Sequence, residues 1–323
     1  MRWGSLVTML LIGAVAFAAT AAVAIFIPWL PESASKEREG IDFTFWLATW
    51  ICIGIFAIVA AVIGYSFLKF RVRPDDDSDG PPIHGHTGLE IAWTAVPFVL
   101  VIVLGVASAV VLTQNDRARG SNVNQVGVLA QQFAWMFEHP NGVTDGTLRV
   151  PVDRSTLLTL RARDVIHSFW VPEFGQKRDA VPGIETELVI TPTRTGEYTV
   201  ICTELCGLGH SLMRTKVIVM PQAEYDRWLE EGAEAEGPAD GGALFLAQGC
   251  GGCHAFAPAG TTAQVGPPLD GLADAALVRL AIVEPDAEIA EGYAAGVMPK
   301  TFGEQLSEEQ LDALVQYLTG GGG

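Results

Sequence analysis

Three uncharged stretches, each long enough to cross a bilayer, limit this chain more than any other feature. Residues 3–31, 43–68 and 91–115 contain no Asp, Glu, Lys or Arg, and Glu90 stands just before the third. Each exceeds the roughly 20 apolar residues that an α-helix needs to span a ~30 Å hydrocarbon core. The first stretch has one basic residue before it, Arg2, and a run of small residues at 18–24. That pattern favours a secretory signal peptide cleaved after about residue 24 over a third transmembrane helix, within residues 1–30. The other two form a transmembrane helical hairpin over residues 40–118. Lys69, Arg71 and Arg73 close its first helix, and basic loops stay on the cytoplasmic side. The expected location is therefore a bacterial cell membrane, multi-pass, with everything after about Asp116 on the outer, periplasmic face.

A mean hydropathy of +0.31 and a charged fraction of 18% exclude a disordered chain. The 20 basic against 37 acidic residues, a formal charge of −17, argue against nucleic acid and for basic partners. Of five cysteines, Cys202 with Cys206 and Cys250 with Cys253 form two close pairs. Close pairing points to ligand or thioether chemistry rather than to a scattered disulfide framework. Cys52 falls inside an apolar stretch and reads as a small packing residue, while His84, His86 and His139 read as surface residues.

Over residues 119–220 short β-rich runs alternate with turn signals. Leu157–Arg161, Glu187–Thr191, Tyr198–Ile201 and Lys216–Val219 are separated by Pro140-Asn141-Gly142, Val181-Pro182-Gly183 and Thr195-Gly196. The pattern predicts an antiparallel β-sandwich or barrel of one domain. Residues 221–240 hold seven carboxylates against Arg227 alone and end in Gly-Pro-Ala-Asp; they read as a short acidic helix passing into a flexible linker. Residues 241–323 then form a small all-α domain. Ser307 and Gln310 fit a capping box, and Leu311, Leu314, Val315 and Leu318 mark the apolar face of its last helix.

Chemistry concentrates at two places. Cys202, Cys206, His210 and Met213 lie within twelve residues, and His167 stands upstream. Soft sulfur with imidazole suits copper or zinc, and the added thioether leans toward copper. Two thiolates four residues apart can bridge a pair of copper ions. A structural zinc, a Cys202–Cys206 disulfide and a single copper remain alternatives on the residues alone. The second place is Cys250-Gly251-Gly252-Cys253-His254, the attachment sequence of a covalent haem c. His254 would be the proximal ligand. Met298, in Gly296-Val297-Met298-Pro299, can supply the second axial position, a ligation that raises the reduction potential.

The loop Cys-x-Glu-x-Cys-Gly-x-x-His-x-x-Met resembles the binuclear Cu-A loop of cytochrome c oxidase subunit II. Asp164-Val165-Ile166-His167-Ser168-Phe169-Trp170 is similar to that family's upstream histidine segment. The likeness implies a cupredoxin-like domain in which Cys202 and Cys206 bridge the coppers and His167 and His210 bind one each. Met213 and the carbonyl of Glu204 would be weak ligands, and the Glu204 side chain would reach Mg2+ at the interface with the catalytic subunit. Glu90 matches the family's glutamate at a proton-channel entrance. The family's electron-accepting Trp is replaced by Phe133, in Gln132-Phe133-Ala134-Trp135, which puts Phe133 and Trp135 on the expected electron path. The fused haem domain resembles the caa3 type. The chain is then expected to pass electrons from cytochrome c or a membrane cytochrome complex, through haem c and Cu-A, to oxidase subunit I and its companions. The partner would reduce O2 to water and pump protons. The alternative is the electron-accepting subunit of a Cu-A-containing nitric oxide reductase; a copper-delivery module would lack the covalent haem.

Overall fold

The computed structural model describes residues 3–71, 82, 84–117, 122–234 and 241–320. Arg73 of the basic loop and residues 235–240 of the linker lie outside that set. The chain forms two compact units, residues 1–32 with 39–115, and residues 33–38 with 116–323.

The first unit is helical. Helices α1 (Trp3–Phe26), α2 (Lys36–Lys69) and α3 (Thr87–Asn115) are all long and apolar enough to cross a membrane. With intrahelical bonds satisfying the backbone, their exposed Leu, Val, Ile and Phe side chains can meet lipid at no polar cost. Helix α2 begins seven residues before its apolar run because the charged segment Lys36–Asp42 is also helical. Small residues let α1 and α2 approach: a Cβ on Gly13 would lie 3.3 Å from the Ala61 Cβ, and one on Gly64 would lie 3.1 Å from Ile12. Ile53, Ala57 and Ala61, one turn apart, form the buried stripe of α2. Cys52 is off that stripe and exposed, so it does not pack inside the unit as its sequence context suggested.

The second unit begins with a β-sandwich. Its strands are β1 (Asn124–Gln131), β2 (Ala134–Glu138), β3 (Thr144–Asp145), β4 (Leu148–Pro151) and β5 (Thr156–Ala162). They continue as β6 (His167–Trp170), β7 (Lys177–Ala180), β8 (Thr186–Ile190), β9 (Gly196–Cys202) and β10 (Arg214–Met220). One sheet runs β3-β2-β1-β5-β8 and the other β4-β10-β9-β6-β7. The expected sandwich is present, but it is mixed rather than antiparallel. β1 pairs parallel with β5, and β4 parallel with β10. The chain leaves β1, passes through β4 in the other sheet, and returns as β5 in the same direction, a crossover that no local turn signal announces. Alternation drives the layering: Val126, Val128 and Ala130 of β1 and Leu158 and Leu160 of β5 point inward against Val217 and Val219 of β10.

Helix α4 (Gln222–Glu234) lays Tyr225 and Leu229 onto Val143 and Met220 of the sandwich. This packing encloses His139, which is 3% exposed, with its ring centroid 4.7 Å from that of Trp228. His139 is thus a core residue, and the surface expectation fails because Tyr225 of α4, 86 positions downstream, comes to cover it. His84 and His86 are exposed, as expected.

The C-terminal domain comprises α5 (Gly241–Ala247), α6 (Ala275–Val283), α7 (Phe302–Gln305) and α8 (Glu308–Thr319). A two-residue ladder, Ala255–Phe256 with Thr261–Thr262, is its one departure from all-α among the described residues. The Ser307–Gln310 capping box forms, and Leu311, Leu314, Val315 and Leu318 are buried with Phe245 and Phe256. Asp274 caps α6 by accepting from the amides of Ala276 and Leu277.

Candidate metal and haem sites

The sulfur-rich loop hangs between β9 and β10, and β6 brings His167 beside it. Cys202 ends β9, whose register against β6 sets Phe169 opposite Cys202 and so fixes His167 nearby. Cys202 and Cys206 are free and buried, their Sγ atoms 3.9 Å apart. A disulfide needs about 2.05 Å, whereas two sulfurs bonded to one ion at ~2.3 Å each fall within 3.9 Å of one another with ease. His167 Nδ1 lies 4.0 Å from Cys202 Sγ, and His210 Nδ1 lies 3.6 Å from Cys206 Sγ. Met213, fully buried, places its Sδ 3.8 Å from Cys206 Sγ. The Glu204 carbonyl oxygen is 3.3 Å from Cys202 Sγ, while its side chain is exposed. Two thiols, two imidazoles, a thioether and a carbonyl therefore converge, with one imidazole beside each sulfur. A zinc site of two Cys and two His would leave the Met213 sulfur without purpose, so the donor set fits soft copper better.

Charge in this cluster follows from burial and neighbours. Burial opposes ionisation of Cys202, but hydrogen bonds from His167, from the Ser168 and Glu204 backbone and from His210 together outweigh it and bring the thiol to about 6. Burial, then the negative Cys202, pushes Cys206 up to about 12. A bound cation removes the conflict, because a coordinating thiol is deprotonated outright.

Two residues that the motif reading passed over hold this arrangement. Asp164 Oδ1 accepts from His167 Nε2 at 2.8 Å, which leaves Nδ1 toward the sulfurs. Asp164 also accepts from the amides of Gln132 and Val165, both at 2.7 Å. Burial alone would raise this carboxyl, but the hydrogen bonds from His167 and the two amides hold it below the usual range. Gln132 Nε2 donates to the Cys206 carbonyl at 2.5 Å. The available signal was a carboxylate three residues ahead of a candidate ligand histidine, the spacing of a second-layer partner. Trp135 is buried, edge-on to His167 with centroids 6.2 Å apart, and Phe133 lies against the loop glycines.

The second site is an apolar cavity of about 330 Å³ lined by Cys250, Cys253, His254, Leu269, Met298 and Leu314, among others. His254 Nδ1 donates to the Pro267 carbonyl at 2.7 Å, so its Nε2 keeps a lone pair for an iron. Gly266 is required beside it, since a Cβ there would meet the imidazole at 2.5 Å. Burial holds His254 below its ordinary value, despite the Pro267 bond, and thus neutral. Burial, reinforced by Cys253, pushes Cys250 up to about 12. A flat apolar cofactor tied to the two sulfurs fits this cavity.

Glu90 sits in the first turn of α3 and accepts from the His86 amide at 3.0 Å. It lines an open groove with Thr87, Ile91, Thr94, Ala95 and Phe98.

A cupredoxin-like sandwich with a paired-cysteine loop, joined to a cytochrome c domain and carried by membrane-capable helices, defines a membrane-anchored redox subunit. The family model for the cytochrome c oxidase subunit II periplasmic domain matches residues 125–220, that for its transmembrane domain residues 22–111, and that for cytochrome c residues 238–321. Cytochrome c oxidase subunit 2 of Alkalihalophilus pseudofirmus is 34% identical over 289 residues, covering 83% of this chain and 82% of the relative. The Synechocystis protein of that name is 33% identical over 264 residues, covering 67% and 79%. The Bacillus subtilis one is 28% identical over 334 residues, covering 91% and 92%. The chain belongs to the cytochrome c oxidase subunit II family. It is accordingly part of a haem-copper terminal oxidase and associates in the membrane with other oxidase subunits.

Proposed function

We propose that this chain is the electron-input subunit of its oxidase, receiving electrons at a covalent haem c and passing them through a binuclear Cu-A centre to the catalytic subunit, which reduces O2 to water and pumps protons. The observation that carries this reading is the convergence of six donor groups around one pair of thiols 3.9 Å apart. Cys202, Cys206, His167 and His210 would hold the copper pair, with Met213 and the Glu204 carbonyl as weaker donors. Cys250 and Cys253 would carry the haem, and His254 and Met298, which line the same cavity, would hold its iron. When bound, both groups supply one-electron chemistry without atom transfer.

The chain's own residues do the rest. Burial of Cys202, Cys206 and His167 keeps water from the metal. Asp164 and the Pro267 carbonyl each fix the tautomer of one ligand histidine. A rigid, preset ligand shell lowers the rearrangement that accompanies each change of charge. The division at residues 40–118, 119–220, 221–240 and 241–323 separates anchor, copper domain, linker and haem domain, with the last three on the outer side of the membrane. Glu90, exposed at the start of α3, serves as a proton-channel entrance, and the exposed Glu204 carboxylate offers a ligand for Mg2+ at the subunit interface.

The donor is a basic protein. The haem domain carries ten carboxylates against two cations, and both cations are engaged: Arg279 with Glu308 and Asp312, Lys300 with Asp286. Electron input should slow as salt rises, because exposed charges are screened beyond about 8 Å at physiological ionic strength. The deciding experiment is purification of the complex with this chain and assay of both gases. Oxygen consumption with proton release is expected; nitric oxide consumption without oxygen consumption would overturn the reading.

A further inference from the structure

Between α6 and α7 the chain runs over residues 284–301 with neither helix nor strand. Irregular connections of that length are uncommon in a small domain and are usually functional. This one carries Met298 and forms a wall of the haem cavity through Pro285, Ile289, Tyr293, Val297, Met298 and Pro299. Its own backbone does little to fix it. Residues 287–296 are exposed, and among the described residues one backbone–backbone hydrogen bond lies within 288–300, from the Tyr293 amide to the Ala290 carbonyl. A stretch so weakly tied to itself needs another hold if it is to keep one side chain in place.

Asp286 supplies that hold. Its Oδ1 accepts from the Gly296 amide at 2.8 Å, and its Oδ2 pairs with Lys300 Nζ at 2.5 Å. Among the described residues no other side chain bonds to the backbone of 288–300. Gly296 turns at φ +72°, a left-handed conformation that costs a glycine nothing, where its amide meets the carboxylate. The bond to Lys300, then that to the Gly296 amide, holds the Asp286 carboxyl below its usual range, so both bonds are charge-assisted. Gly296 and Lys300 stand two residues before and two residues after Met298. One carboxylate thus brackets the half-buried Val297, Met298 and Pro299 from both sides.

We propose that Asp286 is a positioning residue for Met298: by gripping the chain on either side of it, Asp286 presets the thioether in the haem cavity and governs how readily that ligand is exchanged. The inference rests on the proposed function, in which Met298 and His254 hold the haem iron. Loop closure gives its size. Without the bracket, Met298 belongs to a free stretch that runs the whole way from α6 to α7. With it, the free stretch shrinks to Val297, Met298 and Pro299. Closure probability falls as the 3/2 power of loop length, so the shorter stretch raises the effective concentration of the thioether by about tenfold at most. Exposed bonds compete with water, which brings the expected gain to about fivefold.

The test titrates imidazole into the oxidised full chain, loaded with copper and haem in detergent, and follows the haem bands. An imidazole nitrogen displaces the Met298 sulfur with no change of oxidation state, so its apparent affinity rises as the thioether is held less well. Asp286→Ala is expected to raise that affinity about fivefold. Asp286→Asn keeps an oxygen for the Gly296 amide but loses the pair with Lys300, and should raise it less than about threefold. Ser307→Ala, which breaks the α8 cap, should leave it unchanged. An unchanged affinity in Asp286→Ala would overturn the proposal. An equal rise in Ser307→Ala would do the same, because it would trace the effect to general loss of stability. Hydrogen exchange of the Gly296 amide in the same loaded chain reads the bracket without ligand displacement. It should be faster in Asp286→Ala than in the original chain, and equal rates would overturn the bracket. An unaltered chain lacking the near-infrared band of a sulfur–iron bond would instead refute Met298 as a ligand, and with it that part of the proposed function. The Gly296 exchange would then still decide whether Asp286 grips the segment.

Discussion

Replacing His139 with Gln probes the joint between the copper domain and the helix that leads away from it. His139 is 3% exposed beneath α4, and burial, followed by the positive Arg149, lowers its pKa from 6.5 to about 3. Arg149 stays in place because it pairs with Asp145 and lies over the Trp228 ring at 4.9 Å. Tyr225, which places its hydroxyl 3.5 Å from His139 Nδ1, is held neutral by burial. A histidine with a depressed pKa in the packed state leaves α4 fully stable above pH 6.5. Stability is then lost as pH falls from 6.5 toward 3, because only the unpacked state takes up the proton. At pH 5 the unpacking equilibrium should rise roughly 30-fold, or about 2 kcal/mol, relative to pH 7. Hydrogen exchange of the α4 amides, corrected for the intrinsic pH dependence of exchange, reads that change. The original chain should lose roughly 30-fold more protection between pH 7 and 5 than His139→Gln. Equal losses in the two proteins would refute the claim that His139 is buried neutral under α4.

Further outcomes follow from the same geometry. His210→Asn should abolish the electron paramagnetic signal of a shared copper pair while the haem absorption spectrum stays intact. Met298→Leu should spare the copper signal and lower the haem potential, measured by redox titration; an unchanged potential would remove Met298 from the ligand set. Ser307→Ala breaks the capping box of α8 and should lower the stability of the haem domain by about 1 kcal/mol, read from thermal loss of the haem spectrum.

Local rules were enough to read some of these elements from the sequence. The apolar runs needed only a count against bilayer thickness, and the Ser307–Gln310 cap lies within one helical turn. The spacing of Cys202, Cys206, His210 and Met213 gathers four donors on a single loop, so their convergence needs no tertiary knowledge. What eluded the sequence arises from partners far apart in the chain. Asp164 sits 32 residues from the Gln132 amide that it accepts from. His139 has nothing polar or apolar about its own segment to reveal that Tyr225 and Trp228 will cover it. The parallel pairings of β1 with β5 and β4 with β10 follow from a crossover between sheets, and alternation is the same in parallel and antiparallel neighbours. The exposed Cys52 shows the converse: in a lipid-facing helix an apolar context does not say which side is packed. Phe133 was legible as a departure from the family's aromatic residue, but its position between two sites required both domains to be placed together.

Metal analysis of the assembled complex, normalised to this polypeptide and paired with electron paramagnetic resonance, tests the central claim most directly. Two coppers per chain, one unpaired electron spread over both nuclei and one covalent haem are predicted. A single localised copper, or zinc bound by Cys202 and Cys206, would contradict it.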